Sequence, residues 1–324
     1  MALSLAQKFI NLGMASPLAV EYANQINTGV YNWRRLAELG MVPILAKYVA
    51  ESLAVGAFSG RIAMEKTMTE ALANLTTSVG YSPEAVALFA RMTTQLSVGR
   101  KALINDLIVA LKAAGVWTKL DVLHVMAAAD SQTARQNWLA DQYNLTPVSA
   151  PVFTPDQGYQ GDGASSYLST GFNPATAIAP KYSQNDSHHG LWSRTNLLNG
   201  AGASFDSGSG TTWIRRSTTP GQSEGRPQQS ATVTVANGSY PGHSVWSRSA
   251  AALWAGYAQG APGGSGIDAS SAVSNAVFRV LAEAAGGFGS NQIAAMHVGG
   301  NLTSTQTAAL FSALNTYLTA VGAA

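Results

Sequence analysis

Three tryptophan–arginine pairs have the spacing of a ligand-binding surface: Trp192/Arg194, Trp213/Arg215 and Trp246/Arg248. Residues two apart in a β-strand lie on the same face, so each ring would lie beside its guanidinium group and interact with it by cation–π stacking. Such a platform suits the apolar face of a sugar ring together with its hydroxyls or a carboxylate. The alternative is a structural ladder, in which the arginine stems only cover a sheet face.

Two loops are the second candidate for ligand contacts. One surrounds Asn185-Asp186, and the other is Gln222–Gln229 within the segment 221–229, which shows none of the surrounding strand pattern. Loops of this kind commonly determine which ligand a scaffold binds. We therefore count Asn185 and Asp186 among the candidate binding residues.

Catalytic and metal chemistry has little support in the sequence. The acids of the second half are scattered, mostly in turns, and no pair shares a strand face at short spacing, as a glycosidase would need. Asp162, between two glycines, is typical of a turn former. His188 and His189 are adjacent, so on a strand they point to opposite faces and cannot both hold one metal. We expect no enzyme activity, no metal and no cofactor.

Composition limits the classes of partner. The 324 residues carry a formal net charge of +2 and no cysteine. The positive charges do not cluster, which disfavours nucleic acid, because its binding needs grouped Lys and Arg. The sequence contains no run of about 18 apolar residues, so it predicts no membrane span, and the first residues do not resemble a signal peptide. We expect synthesis in a bacterial cytoplasm.

The amino-terminal segment, residues 1–78, contains a tandem repeat. Leu12-Gly13-Met14 is echoed by Leu39-Gly40-Met41, and each copy is followed by a proline. Glycine ends a helix cheaply and proline is tolerated in a first turn, so each copy predicts a small helix–turn–helix unit. The two hypotheses are a module that docks on a larger assembly and a self-contained helical cap.

Residues 79–148 are predicted to be a helical connector that packs on the strand-rich segment after it. Ser82-Pro83 begins one helix, and 98–114 forms a second. Thr118 to Asp121 resembles a capping box and would lead into a third helix with the apolar residues Leu120, Val122, Leu123 and Val125. Ser131 would cap a last helix that contains Trp138. His124 beside these apolar residues is expected to be a packed, hydrogen-bonded histidine.

Residues 149–324 have the pattern of a β-sandwich. Short β-prone runs recur between Gly, Ser, Asn and Pro turns. They are 167–172, 190–195, 211–217, 231–236, 243–249, 252–257, 276–281 and 292–298. Thr303 and Gln306 then match a capping box that opens a final helix. The chain is therefore predicted to be a multidomain α+β protein, with helical segments followed by a jelly-roll sandwich.

From about Arg91 onward the sequence resembles virion fibre, spike and minor tail proteins of tailed bacteriophages and of gene transfer agents. The resemblance is carried by 102–117, by Gly158-Tyr-Gln-Gly-Asp-Gly163, by Tyr167-Leu-Ser-Thr-Gly-Phe-Asn-Pro174, by Gly190-Leu-Trp-Ser-Arg194 and by the final capped helix. It implies a concanavalin-A-like sandwich that binds glycans on a particle surface. The Leu-Gly-Met repeat also resembles segments of phage structural proteins.

Together these patterns favour a virion surface protein that attaches through residues 1–78 and binds host polysaccharide through its sandwich. Its partners would be other capsid or tail proteins and further copies of itself, with a trimer favoured because several weak sites together raise avidity. The rival hypotheses are a capsule or lipopolysaccharide depolymerase and a purely structural decoration or connector protein.

Overall fold

The computed structural model describes residues 80–195, 205–206, 210–217, 219, 221–236, 241–283 and 286–324, together with Val20 and Asn24. The Leu-Gly-Met repeats and their predicted docking role lie outside the described residues. The fold and the candidate sites belong to the compact unit from Tyr81 to Ala324.

The described elements are four α-helices and fifteen strands. The helices are α1 (Pro83–Phe89), α2 (Val98–Ala113), α3 (Ser131–Ala134) and α4 (Ser304–Ala320). The strands are β1 (Leu120–Val125), β2 (Thr146–Val148), β3 (Val152–Thr154), β4 (Gly158–Gln160), β5 (Tyr167–Ser169), β6 (Ser187–Ser193), β7 (Phe205–Asp206), β8 (Thr212–Arg216), β9 (Gln222–Pro227), β10 (Val233–Ala236), β11 (Gly242–Ala250), β12 (Leu253–Ala258), β13 (Ala261–Ile267), β14 (Arg279–Val280) and β15 (Gln292–Gly299).

The strands form two antiparallel sheets. Within the described residues the first sheet has the order β13-β12-β11-β6-β15-β4-β3, and β1 also pairs with β15. The second has the order β10-β9-β8-β7-β14-β5-β2. Because strands distant in sequence are neighbours in both sheets, the fold is a β-sandwich of the jelly-roll kind, and the predicted fold class is confirmed.

The protein is layered, and two apolar cores separate the layers. One core lies between the two sheets and includes Leu191, Phe205 and Trp246. The other lies between the first sheet and the helices α1, α2 and α4. The first sheet is therefore covered on both faces, and every residue of β6 and β15 is buried. In the second sheet, β9 alternates between half-buried and buried residues, which marks a sheet with one open face.

The predicted helix starts are confirmed for three helices. The Ser82 hydroxyl accepts the first-turn N–H of Ala85, with proline at the next position, and Ser97 caps α2 in the same way. At α4 the capping box is complete, because Thr303 and Gln306 each bind the other's backbone N–H. These hydrogen bonds satisfy donors that a helix start leaves unpaired. Among the described helices none is long and apolar enough to cross a membrane.

The prediction of a helix over residues 120–125 is wrong, because this segment is strand β1. Leu123 lies opposite His297 of β15, so the first sheet takes up the apolar run. Asp121, the expected acid of the capping box that begins at Thr118, is used elsewhere: its carboxylate accepts the backbone N–H groups of Lys181 and Tyr182, both at 2.8 Å. Similarly, the helix expected at Ser131 is the single turn α3, capped by Asp130.

All eight predicted strands are present, with ends shifted by a few residues. The segment 221–229, predicted to be a ligand loop, is instead largely strand β9, paired between β8 and β10. Gly225 is the position in this strand where the backbone approaches another side chain so closely that a glycine is required. A Cβ at this position would lie 2.7 Å from the Trp246 ring, so only glycine lets the second sheet approach that ring.

Candidate functional site

A row of side chains crosses the outer face of the second sheet. The strand register aligns Arg226 of β9, Trp213 of β8, Asp206 of β7, Arg279 of β14 and Ser169 of β5. Their sequence neighbours point inward; these are Gly225, Ile214, Phe205, Val280 and Leu168. With strands about 4.8 Å apart, the row is about 19 Å long. We call these five residues the outer row.

Trp213 lies between two guanidinium groups. The Cζ atom of Arg215 is 4.6 Å from the ring centroid, and that of Arg226 is 5.4 Å away. Arg215 also donates to Glu224, with its Nε and Nη2 atoms 3.1 and 3.0 Å from Oε2. The prediction that Trp213 and Arg215 share a strand face is therefore confirmed. The ring is only 7% exposed, so the guanidinium groups, rather than the indole, form the accessible surface.

Arg279 is the cation of the outer row with the most unused donors. Its Cζ atom lies 5.2 Å from the centroid of the Tyr167 ring. Within the described part of the chain, its guanidinium group has no hydrogen-bond acceptor and no carboxylate at ion-pair distance. Arg226 also lacks a carboxylate there, and donates only to the Gly210 carbonyl and the Thr232 hydroxyl.

Sequence reasoning missed Arg226, Arg279 and Tyr167. No spacing within one strand relates them to Trp213, because each comes from a different strand. Only the pairing of β5, β14, β7, β8 and β9 brings them to one face. The partial signal was that Arg226 is the one cation of the segment 222–229, which was already considered for ligand contacts.

The pair Trp192/Arg194 lies elsewhere, at the end of β6 on the helical side of the first sheet. The Trp192 ring stacks on Phe311 of α4, with centroids 5.6 Å apart and planes at 5°. On its other side lies the His243 ring, at 5.8 Å. Trp192 is thus part of the core beneath α4, and Arg194 is half-buried at the rim of that core.

The expectation that Trp246 and Arg248 face outward with the other pairs is wrong. Both side chains are fully buried between the sheets. Arg248 donates to the Pro227 carbonyl and the Gln229 amide oxygen on the side of the second sheet, each at 2.7 Å. It also donates to the Asp268 carbonyl at 3.0 Å. The three pairs therefore form neither one ladder nor one surface, and this pair fastens the sheets together.

Asn185 and Asp186 lie in an exposed loop before β6. The Asn185 side-chain oxygen accepts from the Ser270 hydroxyl at 2.6 Å, and Asp186 accepts from the backbone N–H of Asn301. These contacts tie the loop to the chain around Ser270 and Asn301. The structure does not bring the two residues into the outer row.

The adjacent histidines point to opposite faces, as predicted. His189 stacks between Phe205 and Trp246 in the core between the sheets. His188 lies on the helical side, 5.1 Å from the His297 ring. Among the described residues no three His, Cys, Asp or Glu side chains are close enough to hold a metal ion.

All five histidines of the chain are at most 1% exposed, and burial holds them neutral. Desolvation lowers the pKa of His124 and His188 to about 4, and that of His189 and His243 to about 3. It also lowers the pKa of His297, whose Nε2 atom lies 2.8 Å from the Nε2 atom of His243. His124 is packed and bonded through Nδ1 to the Gln136 carbonyl, as predicted.

Asp162 is a turn former, as predicted. One carboxylate oxygen accepts the backbone N–H groups of Ala164, Ser165 and Ser166, at 2.8–2.9 Å. These hydrogen bonds hold the pKa of the carboxyl far below its usual range. A carboxylate held in this way stays ionised and organises the turn.

No protein-family model and no curated protein matches this chain. Among solved structures, domain 4 of AbnA, a GH43 extracellular arabinanase from Geobacillus stearothermophilus in complex with arabinotriose, is 15% identical with a TM-score of 0.41. The match covers 59% of this chain and 98% of that domain.

A structure on botulinum neurotoxin type C, whose cell entry depends on two ganglioside molecules, is 10% identical with a TM-score of 0.47. The match covers 62% of this chain and 53% of the toxin chain, so the chain spans about half that length. A Trypanosoma rangeli sialidase in complex with 2,3-difluorosialic acid is 12% identical, with a TM-score of 0.36 and coverages of 66% and 39%. The assignment of a ligand to this chain therefore rests on its own residues.

Proposed function

We propose that the sandwich is a carbohydrate-binding module that holds a polysaccharide chain along the outer row. The observation that carries the proposal is the pair Arg226 and Arg279, two guanidinium groups on the open face that have no carboxylate partner within the described residues. Each lies over an aromatic ring, Trp213 or Tyr167. The row supplies fixed donors in a line rather than at a single point.

This arrangement matches the chemistry of a glycan. Sugar hydroxyls accept hydrogen bonds from guanidinium groups. The outer row carries two arginines and one aspartate, so it lacks the dense positive charge that a nucleic acid would require. With strands about 4.8 Å apart the row is about 19 Å long, and this length accommodates several sugar units in extended conformation.

Replacing Arg279 by Ala is expected to weaken binding of the full-length protein to its polysaccharide by a factor of ten or more. The reason is the loss of a charge-assisted hydrogen bond, which contributes about 1.5–3 kcal/mol. Binding of fluorescent capsule and lipopolysaccharide fragments, first identified on a glycan array, measures the change. Arg279→Lys should recover only part of the affinity, because lysine lacks the planar fork.

Lys112→Ala is the matched control, since Lys112 is a half-exposed cation on α2 in the helical layer and pairs with Glu84. Its affinity should equal that of the unchanged protein. Equal binding by the Arg279→Ala and Lys112→Ala proteins would show that the outer row does not hold the glycan. Release of reducing ends from the bound polysaccharide would show instead that the protein is a depolymerase.

We further propose that the protein is a fibre or spike on a phage-like particle, attached through residues 1–78 and present in several copies. The support is the sequence resemblance and the Leu-Gly-Met repeat. Particles produced with a protein lacking residues 1–78 should contain none of it, whereas the Arg279→Ala protein should be incorporated normally. Immunoblotting of purified particles measures both, and normal incorporation of the shortened protein would refute this mode of attachment.

A further inference from the structure

A second concave site lies on the opposite side of the first sheet from the outer row. It is a cleft of about 230 Å³ where the end of β6, the start of β11 and the β12–β13 turn meet α4. The side chains that matter for its chemistry are Trp192, Arg194, Phe311 and Asn315. Pockets for drug-sized molecules measure about 300–1,000 Å³, so this cleft fits a smaller ligand.

One wall of the cleft is rigid and apolar. The parallel rings of Trp192 and Phe311 pack against each other, and His243 supports Trp192 from behind. Trp192 is 4% exposed, so little of its ring can move without disturbing the core under α4. Because Trp192 is covered on both faces, the half-buried Phe311 ring is the part of this wall that offers an apolar contact to the C–H groups of a sugar ring.

Arg194 is held in place by neutral acceptors only. Its Nε donates to the Ala323 carbonyl at 2.9 Å, and its Nη1 donates to the side-chain oxygens of Gln157 and Gln292 at 2.9 and 2.6 Å. Within the described residues Nη2 has no acceptor, and no carboxylate lies at ion-pair distance. A guanidinium group that is always charged is therefore oriented but not neutralised.

Burial lowers the pKa of Arg194 below its usual value. The Asn315 side chain, across the cleft on α4, is half-buried and has no hydrogen-bond partner among the described residues. The cleft thus holds one oriented positive charge and one free amide beside an aromatic wall.

We propose that this cleft binds a single carboxylate-bearing sugar unit of the uronate class, with its carboxylate on Nη2 of Arg194 and a hydroxyl on Asn315. The single guanidinium cation of Arg194 balances the charge of a carboxylate, whereas it would balance only one of the two charges of a phosphate dianion. No Asp or Glu side chain lines the cleft. The proposal rests on the proposed function, because it names the acidic unit of the same glycan class.

The test titrates the full-length protein with free glucuronate, with glucose and with acetate, and follows binding by saturation-transfer NMR and calorimetry. Glucuronate should bind, and glucose and acetate should each bind at least tenfold more weakly than glucuronate. Arg194→Met should abolish glucuronate binding. Asn315→Ala, at a half-buried helix position with no hydrogen-bond partner among the described residues, should leave the melting temperature nearly unchanged and weaken glucuronate binding about threefold to tenfold, as expected for one hydrogen bond of about 0.5–1.5 kcal/mol.

The Arg279→Ala protein is the control that separates the two sites, since it should lose polysaccharide affinity but keep glucuronate affinity. Unchanged glucuronate binding in both Arg194→Met and Asn315→Ala would overturn the proposal, as would equal affinity for glucose and glucuronate. If acetate binds as tightly as glucuronate, the cleft recognises only a carboxylate, and the sugar ring is not part of what it binds. Failure of the outer row alone would leave glucuronate binding intact.

Discussion

Acidification from pH 7.5 to pH 5 is expected to lower the free energy of unfolding by about 10 kcal/mol, enough to unfold most domains. All five histidines are buried and neutral, and burial lowers the pKa of each below its usual value of about 6.5. In the unfolded chain each ring takes up a proton below about pH 6.5, whereas the folded protein cannot. The stabilisation is therefore complete above that pH and is lost as the pH falls towards the folded pKa values of about 4 and about 3.

The measurement is the slope of unfolding free energy against pH, from urea unfolding at several pH values, because this slope counts protons taken up on unfolding. At pH 5.5 it should correspond to between about four and five protons, before carboxylates contribute. His189→Phe keeps a ring between Phe205 and Trp246 and should lower the count by about one, whatever it does to stability at pH 8. A count near zero in the unchanged protein would mean that the rings are already protonated in the folded state.

The helix ends and the alternating strands were readable in the sequence because local chemistry determines them. Ser82, Ser97 and Thr303 cap helices with their own hydroxyls, and such bonds involve only neighbouring residues. The same local rule failed at residues 120–125. There the pairing of β1 with β15, about 175 residues away along the chain, prevails over the capping pattern.

Strands rich in glycine were missed because their composition serves packing rather than strand propensity. In β13 a Cβ on Gly263 would lie 2.3 Å from Val235, and one on Gly266 would lie 2.7 Å from the Trp254 ring. The small residues allow large side chains from neighbouring strands to lie against this backbone. From the sequence alone such a segment has the appearance of a loop.

The tryptophan–arginine pairs also show what the sequence alone cannot determine. Spacing two apart establishes that a Trp and its Arg share a face, but only strand register decides which face. In the β6–β11 pair, Trp192 lies opposite His243, so these two point to the same side. Trp246 is three positions from His243 and must therefore point to the other side. Two identical Trp-Ser-Arg tripeptides thus reach different environments, one beside a cleft and one in the core.

This difference makes a matched experiment. Arg248→Met should lower the free energy of unfolding by about 2–6 kcal/mol, since it leaves two acceptors without a donor that are buried and cannot reach water, each at a cost of about 1–3 kcal/mol. The Pro227 carbonyl and the Gln229 amide oxygen are the two that lie fully within the protein. Methionine keeps the apolar stem of arginine, so the loss reports the hydrogen bonds rather than a large cavity.

Arg194→Met is the control, from the same tripeptide. Arg194 is half-buried, and its acceptors are the Ala323 carbonyl and the side-chain oxygens of Gln157 and Gln292, of which Gln157 is also half-buried and can turn towards water. The loss should therefore be smaller than that of Arg248→Met. Urea unfolding at pH 8, where the histidines do not contribute, measures both variants. Arg248→Lys should be nearly as destabilised as Arg248→Met, because one ammonium group cannot reach acceptors on both sheets. If Arg248→Lys is as stable as the unchanged protein, a single positive charge suffices, and the planar fork is not what joins the two sheets.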